Sequence, residues 1–358
     1  MLDVIIVGGG LSGLHTAVQL SKSGKLVKVV EARNRLGGRI YSAPSKHIKI
    51  GGVDLGPSWF WPGQTGTENL IQELNLGSSV FTQFADGDSL FEPAVGNIQR
   101  GISGISMAGS YRISGGLSVV INALRQRLRP QQIELFAKVV RIEKTQSGCL
   151  VHYREGKSIE GKRVVIALPP RVAANTIAFT PDLSQGRKNE LNEMATWMAG
   201  HAKAVIVYQA PFWKEMNLSG DVFSQIGPLS EIHDASPQNG EVAALFGFFD
   251  TEPQQRIQTK AELDLSIVEQ LTRIFGSVAS QPLQILYKDW AKDDLVATQF
   301  DQKIATHHQM NRLSNIVEAD WDQRLIWSGT EVAPSRFNGY IEGAIDASEA
   351  ALVALTAS

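Results

Sequence analysis

The chain has 358 residues, of which 43% are hydrophobic and 20% charged, and a formal net charge of −2. That length suits two domains, each burying its own core, and the composition excludes disordered and fibrous architectures. The near-neutral balance gives no field for nucleic acid or an anionic membrane, so binding is expected inside a pocket.

Cys149 is the only cysteine, which excludes an internal disulfide framework and a cysteine cluster for zinc or iron–sulfur. Residues 2–7, LDVIIV, form a short apolar run ending in GGG. This run lacks the basic start and cleavage site of a signal peptide, so Met1 is read as the mature start. No apolar stretch approaches the roughly 18 residues of a spanning helix. A cytoplasmic protein with neither a nucleic-acid nor a membrane partner is expected.

In chain order, Leu2–Val7 reads as a buried strand, Leu11–Ser23 as a helix and Leu26–Glu31 as a second strand, which completes a βαβ unit. Thr67–Leu76 and Ser118–Leu128 carry helical patterns. Ile133–Leu135, Val139–Lys144, Leu150–Arg154 and Lys162–Leu168 read as strands of a meander, separated by turns such as Ser147–Gly148 and Glu155–Gly156. From about Met194 the pattern changes to long strands, Ala202–Gln209 and Val242–Phe249, followed by a helix over Lys260–Phe275. The strand Arg324–Ser328 and helix Tyr340–Leu355 return to the first domain's pattern.

The fold class expected is therefore α/β. A discontinuous Rossmann-type domain (1–75, 112–192 and 293–358) is joined to a second α+β domain (76–111 and 193–292) built on a mixed sheet.

Gly8, Gly10 and Gly13 form G-x-G-x-x-G between a strand and a helix, with Leu11 and Ser12 inside the turn and Glu31 at the end of the next strand. Gly8 permits the tight turn, Gly10 lets the backbone approach a pyrophosphate and Gly13 lets helix and strand pack closely, while the helix N-terminus favours negative charge. Glu31 is placed to accept hydrogen bonds from adenosine ribose hydroxyls. This fingerprint alone does not separate FAD from NAD. The continuation Glu31–Ala32–Arg33 into Leu36–Gly37–Gly38–Arg39 does, because a second glycine-rich turn brings an arginine that can reach the diphosphate.

With E-A-R-x-R-L-G-G-R in place, the sequence resembles the flavin-containing amine oxidase family of monoamine, polyamine and L-amino-acid oxidases. Val53–Asp54–Leu55–Gly56, followed by Pro57, Ser58 and Trp59, is similar to a family segment whose backbone lies against the flavin. Gly115–Gly116–Leu117 and VVIALPP at Val164–Pro170 match other family runs, and Val139–Ile142 is similar to the strand whose valine contacts adenine. Lys203 with Tyr208–Trp213 resembles K-x-x-x-x-Y-x-x-P-F-W, and Trp290 matches a tryptophan beside the flavin. Trp327–Glu331, containing Gly329, and Gly339–Ala344, containing Tyr340 and Ile341, resemble W-A-G-T-E and G-Y-x-E-G-A.

The resemblance implies FAD as cofactor, a small-molecule amine as substrate and O2 as acceptor. It gives Lys203 a water beside flavin N5, gives Tyr340 one aromatic wall of the amine site, and places Phe300 near the other wall by count from Trp290. The helix start at Tyr340–Ala344 is expected to face the reduced flavin's negative charge. Trp59 and Trp61 either line the pocket or belong to the core.

Three departures from the family pattern carry expectations. The position of the flavin-bonding cysteine falls at about Gln299, so non-covalent FAD is expected. The segment between Trp61 and Gly115 is much shorter than in familiar members, so the pocket is expected to be shallower or roofed by a partner chain, as in a homodimer. Asp293–Thr298 replaces a glycine-rich stretch, which unsettles the correspondence over 293–315.

Adjacent His307 and His308 point apart and have no carboxylate cluster, so no metal is expected. No hydrolytic triad order is present. An amino-acid substrate would need an arginine, with Arg112, Arg312 and Arg336 as candidates. Three functions stay open: an amine or L-amino-acid oxidase, a desaturase or dehydrogenase of the same fold with a non-oxygen acceptor, and a flavoprotein with structural FAD.

Overall fold

The computed structural model describes residues 1–48, 51–101, 106–256, 260–305, 308 and 312–356. Two sheets organise them. The first has eight strands in the order Ala178–Thr180, Val139–Lys144, Cys149–Tyr153, Ser158–Ile166, Leu2–Val7, Val27–Val30 and Ile133–Glu134, with Leu325–Trp327 also paired to Ser158–Ile166. Leu2–Val7 pairs in parallel with both neighbours, as a βαβ crossover requires. The meander of the middle segment is antiparallel and closes on Ser158–Ile166. That long strand uses residues 158–161 for the meander and 164–166 for Leu325–Trp327. The C-terminal part of the chain thereby enters the first sheet.

Helix Leu11–Lys22 packs so close to the first strand that a Cβ on Gly13 would overlap the Gly8 carbonyl oxygen. Helix Ile341–Thr356 lies against it, joined by Ser348 to His15 and Thr16. Glu342, in the first turn of that C-terminal helix, accepts from the Gly66 and Thr67 amides. These two donors open helix Thr65–Glu73, so one carboxylate satisfies amide groups that a helix start otherwise leaves free.

The second sheet runs Gln284–Asp289, Ala202–Tyr208, Ala243–Phe249, Leu229–Asp234, Leu218–Ser224, Asp88–Glu92 and Gln99–Arg100. It is mixed, since Leu218–Ser224 and Asp88–Glu92 pair in parallel while the other pairs are antiparallel. Alternation along Ala202–Tyr208 divides its two faces. Ala204 and Ile206 pack on helix Lys260–Phe275 through Ile267 and Leu271. Lys203, Val205 and Val207 face the other way, where Val53, Leu55 and Phe246 join the valines. This second face looks toward the first sheet's loops.

Among the described residues, Trp61–Gly115 contains one α-helix, Thr65–Glu73, and otherwise short strands and turns. No helix of the described residues is long and apolar enough to cross a membrane.

Candidate active site

A cavity of about 640 Å³ runs between the two sheets, within the ~300–1,000 Å³ usual for small-molecule sites. At one end it is lined by Gly8, Gly10, Leu11, Ser12, Glu31, Ala32, Arg33 and Val139. Past Gly37, Gly38, Arg39, Gly329, Gly339 and Ile341 it reaches Gly56, Pro57, Ser58, Trp59, Lys203, Trp290, Tyr340 and Ala344. Of the residues expected at the site, only Gly13, Glu331 and Phe300 lie outside this lining.

The first end has room and donors suited to a dinucleotide. Gly10 is extended (φ −75°, ψ −178°), and a Cβ built there meets nothing within 4 Å. The space it would fill opens on the cavity at the N-terminus of Leu11–Lys22, where free amides favour an anion. Glu31 is buried, with Oε2 accepting from Gly9 N (2.8 Å) and Oε1 from Arg33 N (2.8 Å). Both bonds pin the carboxylate and leave lone pairs for hydroxyl donors. The vacant volume, the free helix start and the fixed carboxylate fit an adenosine diphosphate moiety.

Glu331 acts from behind the wall. Its carboxylate takes both terminal nitrogens of Arg39, at 2.5 and 3.0 Å, and this fork fixes the guanidinium. Asp293 accepts one hydrogen bond from Arg33, on Oδ1 (2.7 Å), and another from Lys288 on Oδ2 (2.6 Å). Burial alone would raise the Asp293 carboxyl, but hydrogen bonds from Arg33 and Lys288 outweigh it and hold its pKa below the ordinary value. The departure from a glycine-rich stretch thus supplies an ionic link between the dinucleotide turn and the second sheet.

At the other end, Lys203 is 2% exposed. Its Nζ donates to Gly56 O (3.0 Å) and Ser58 Oγ (2.6 Å) and stands 4.0 Å from the Phe246 ring centroid. Burial pushes its pKa down to about 7, against partial support from Asp54. Trp290 Nε1 donates to Leu55 O (2.9 Å), so lysine and tryptophan both hold the 55–58 segment. Trp59 joins the wall and also packs on Phe246, with ring centroids 4.8 Å apart.

Tyr340 lines the cavity, but its aromatic neighbours come from elsewhere than expected. Phe300 is 54% exposed and lies outside the lining. The Thr298–Asp301 turn is closed by its own capping box, and Asp301 is tied to Arg171, so the ring turns outward beside the Arg171 guanidinium. The rings near Tyr340 are Trp197 (centroids 6.1 Å apart) and His308 (4.9 Å), which also pack together at 5.0 Å. Gly339, at φ +83°, makes this arrangement feasible, because a Cβ there would stand 2.6 Å from Trp197 Cβ.

His201 also lines the cavity, and its buried Nδ1 has no hydrogen-bond partner. Burial, aided by Arg256, lowers its pKa to about 4 and keeps the ring neutral. Sequence reasoning missed Trp197, His201 and Glu231. The first two sit in or beside a turn with no periodicity, although two aromatic side chains just ahead of the Lys203 strand were a usable signal.

Trp61 lines the cavity as well, as do Gln64 and Met107, so part of the wall comes from the short 62–114 segment through the latter two. His307 lies outside the described residues, and these contain no group of metal-ligating side chains. Arg112 is committed to the Ala235 and Ser236 carbonyls. Neither it, Arg312 nor Arg336 lines the cavity. Gln299 is exposed and Cys149 is buried in the first sheet.

Two family models match the chain. Residues 6–74 match an NAD(P)-binding Rossmann-like domain, and residues 91–353 match the flavin containing amine oxidoreductase model. Among curated proteins, flavin-containing amine oxidase B of Sus scrofa is 23% identical, covering 98% of this chain and 85% of its own. Flavin-containing amine oxidase A of Equus caballus is also 23% identical, over 98% and 84%.

Solved structures of similar fold include wild-type putrescine oxidase bound to putrescine, with a TM-score of 0.80, 19% identity and coverage of 100% and 99%. Cyclohexylamine oxidase from Brevibacterium oxydans has a TM-score of 0.81, 19% identity and coverage of 99% and 98%. The amine oxidoreductase model spans most of the chain and includes Lys203, Trp290 and Tyr340, and with the Rossmann match before it the conclusion is that this chain belongs to the flavin-containing amine oxidoreductase family.

Proposed function

We propose that the chain oxidises a small amine with non-covalently held FAD and returns the electrons to O2, giving hydrogen peroxide. The observation that carries this reading is one continuous cavity. Its dinucleotide cradle at Gly10 and Glu31 opens into a buried chamber containing Lys203, Trp59 and Tyr340.

When bound, FAD supplies the acceptor for the hydride equivalent that leaves the amine-bearing carbon, with an imine as product. The amides at the start of Leu11–Lys22 would hold the diphosphate, together with Arg39, whose guanidinium Glu331 fixes. Glu31 would accept from the ribose hydroxyls. The 55–58 backbone, braced by Lys203 and Trp290, would lie against the ring system.

Tyr340, Trp197 and Trp59 exclude water and restrict the approach of the amine, which must arrive with its nitrogen neutral. Lys203, whose pKa burial lowers to about 7, would hold a proton and a positive charge beside the flavin, where oxygen would take up electrons. Among the described residues, the wall around Lys203 carries no arginine to pair with a substrate carboxylate, which favours amines over amino acids.

Anaerobic addition of an amine panel to the purified yellow protein tests the reading. Bleaching by amines, followed by peroxide on admitting air, is expected. Acid is expected to release free FAD, whereas flavin retained on the denatured chain would contradict non-covalent binding. Bleaching followed by no reaction with air would favour the dehydrogenase alternative.

A further inference from the structure

The sheet row that carries Lys203 continues beyond it. Lys203 pairs with Phe248, which pairs in turn with Glu231 on Leu229–Asp234. Directly paired residues share a sheet face, and all three line the cavity. With strands roughly 4.8 Å apart, Glu231 stands about 10 Å along the row from Lys203.

The charged side chains on the cavity wall are Arg33, Arg39, Lys138, Lys203, Glu31 and Glu231. Glu31 is at the dinucleotide end, so Glu231 is the carboxylate of the Lys203 end among the described residues.

The position of Glu231 is set by His233. The His233 ring is fully buried, with Nε2 2.6 Å from Glu231 Oε1 and Nδ1 2.7 Å from Asp221 Oδ1. Trp59 and Phe246 each pack on the ring at 5.5 Å. A histidine between two carboxylates donates from both nitrogens and is then an imidazolium. Burial works against that charge, but the hydrogen bonds to Asp221 and Glu231 outweigh it and raise the His233 pKa.

Two carboxylates and one imidazolium leave a net negative charge. The Asp221 side chain is 5% exposed and that of Glu231 28%, so Glu231 presents the charge to the chamber.

We propose that Glu231 is a specificity-determining residue that binds the distal, cationic nitrogen of a substrate carrying two amino groups, while the other amino group is oxidised beside Lys203. A plain alkyl chain would cover this carboxylate while leaving the net negative charge of the Asp221–His233–Glu231 group without a counter-charge, which is unfavourable. A distal ammonium supplies the missing partner. The inference rests on the amine-oxidation reading and deepens it.

The test compares anaerobic flavin reduction of the holoenzyme by 1,4-diaminobutane and 1,6-diaminohexane with that by butylamine and hexylamine. Wild type is expected to favour the diamine of each pair in the second-order rate constant. Glu231→Gln retains an acceptor for His233 and is expected to lower that diamine-to-monoamine ratio about tenfold or more.

A wild-type enzyme that reduces equally well or better with the monoamines overturns the proposal, and this outcome does not depend on the variant's folding. A ratio in Glu231→Gln within twofold of wild type overturns it as well, assigning Glu231 to holding His233 alone. Either failure, with bleaching by monoamines intact, leaves the parent reading standing. Absence of bleaching by every amine would remove both.

Discussion

The two ends of the cavity are built by different means. The end proposed for the dinucleotide is made mainly of backbone, with a glycine turn, a helix start and one carboxylate clamped between two amides, drawn mainly from residues 8–39. The end proposed for the amine is made of side chains from distant segments, with Trp59, Trp197, Lys203, Glu231, Trp290 and Tyr340 converging on one chamber. A binding site that recognises an invariant ligand by main-chain geometry leaves a local spacing in the sequence. A chamber shaped to one substrate depends on how remote elements pack.

The sharpest way to break the comparison is at Gly10. Its backbone is in a region open to any residue, and the space beyond it is empty of protein, so Gly10→Val is expected to fold normally yet bind no detectable FAD. Circular dichroism and flavin content of the purified variant check this. Full flavin occupancy would mean that the diphosphate lies elsewhere.

At the amine end, Trp197→Ala removes the ring that packs on Tyr340. Flavin content should persist while kcat/KM for amines falls roughly tenfold to a hundredfold, the scale of a misplaced reacting group. Unchanged steady-state kinetics would show that Tyr340 needs no such support.

Lys203 sharpens the contrast through pH. Its pKa is about 7 in the folded protein against an ordinary 10.5. Between these values the unfolded chain retains a proton that the native state releases, so this group makes flavin-free protein more stable as pH rises. Lys203→Met lacks that slope. The variant's melting temperature relative to wild type is therefore expected to decline from pH 7 toward pH 10, and a pH-independent difference would contradict the buried, weakly basic ammonium. The smallest effect belongs to Phe300→Ala, where exposure of the ring predicts a stability change within about 0.5 kcal/mol and unaltered kcat/KM.

What could be read in advance follows the same division. The βαβ unit, the meander and the buried strand around Lys203 were legible, because each shows its periodicity or turn chemistry locally. Strands Leu218–Ser224 and Leu229–Asp234 were not singled out. Their polar residues, including Asp221, Glu231 and His233, interrupt the apolar pattern because they bind one another. Phe300 was misplaced by counting from Trp290 across a segment in which Asp293 and Asp301 had substituted ionic ties to Arg33 and Arg171 for the glycine-rich path. Trp197 escaped because it reaches Tyr340 from a turn rather than from an element.

The most direct test of the two-ended account is stopped-flow measurement of both half-reactions in Lys203→Met. The substitution keeps nearly the same volume while deleting charge and hydrogen bonds. Reduction by amine should fall modestly. Reoxidation by O2 should lose on the order of 2–4 kcal/mol of electrostatic stabilisation, about two to three powers of ten in rate. Oxygen reacting with the reduced variant as fast as with wild type would contradict the account and leave Lys203 as a brace for the 55–58 segment.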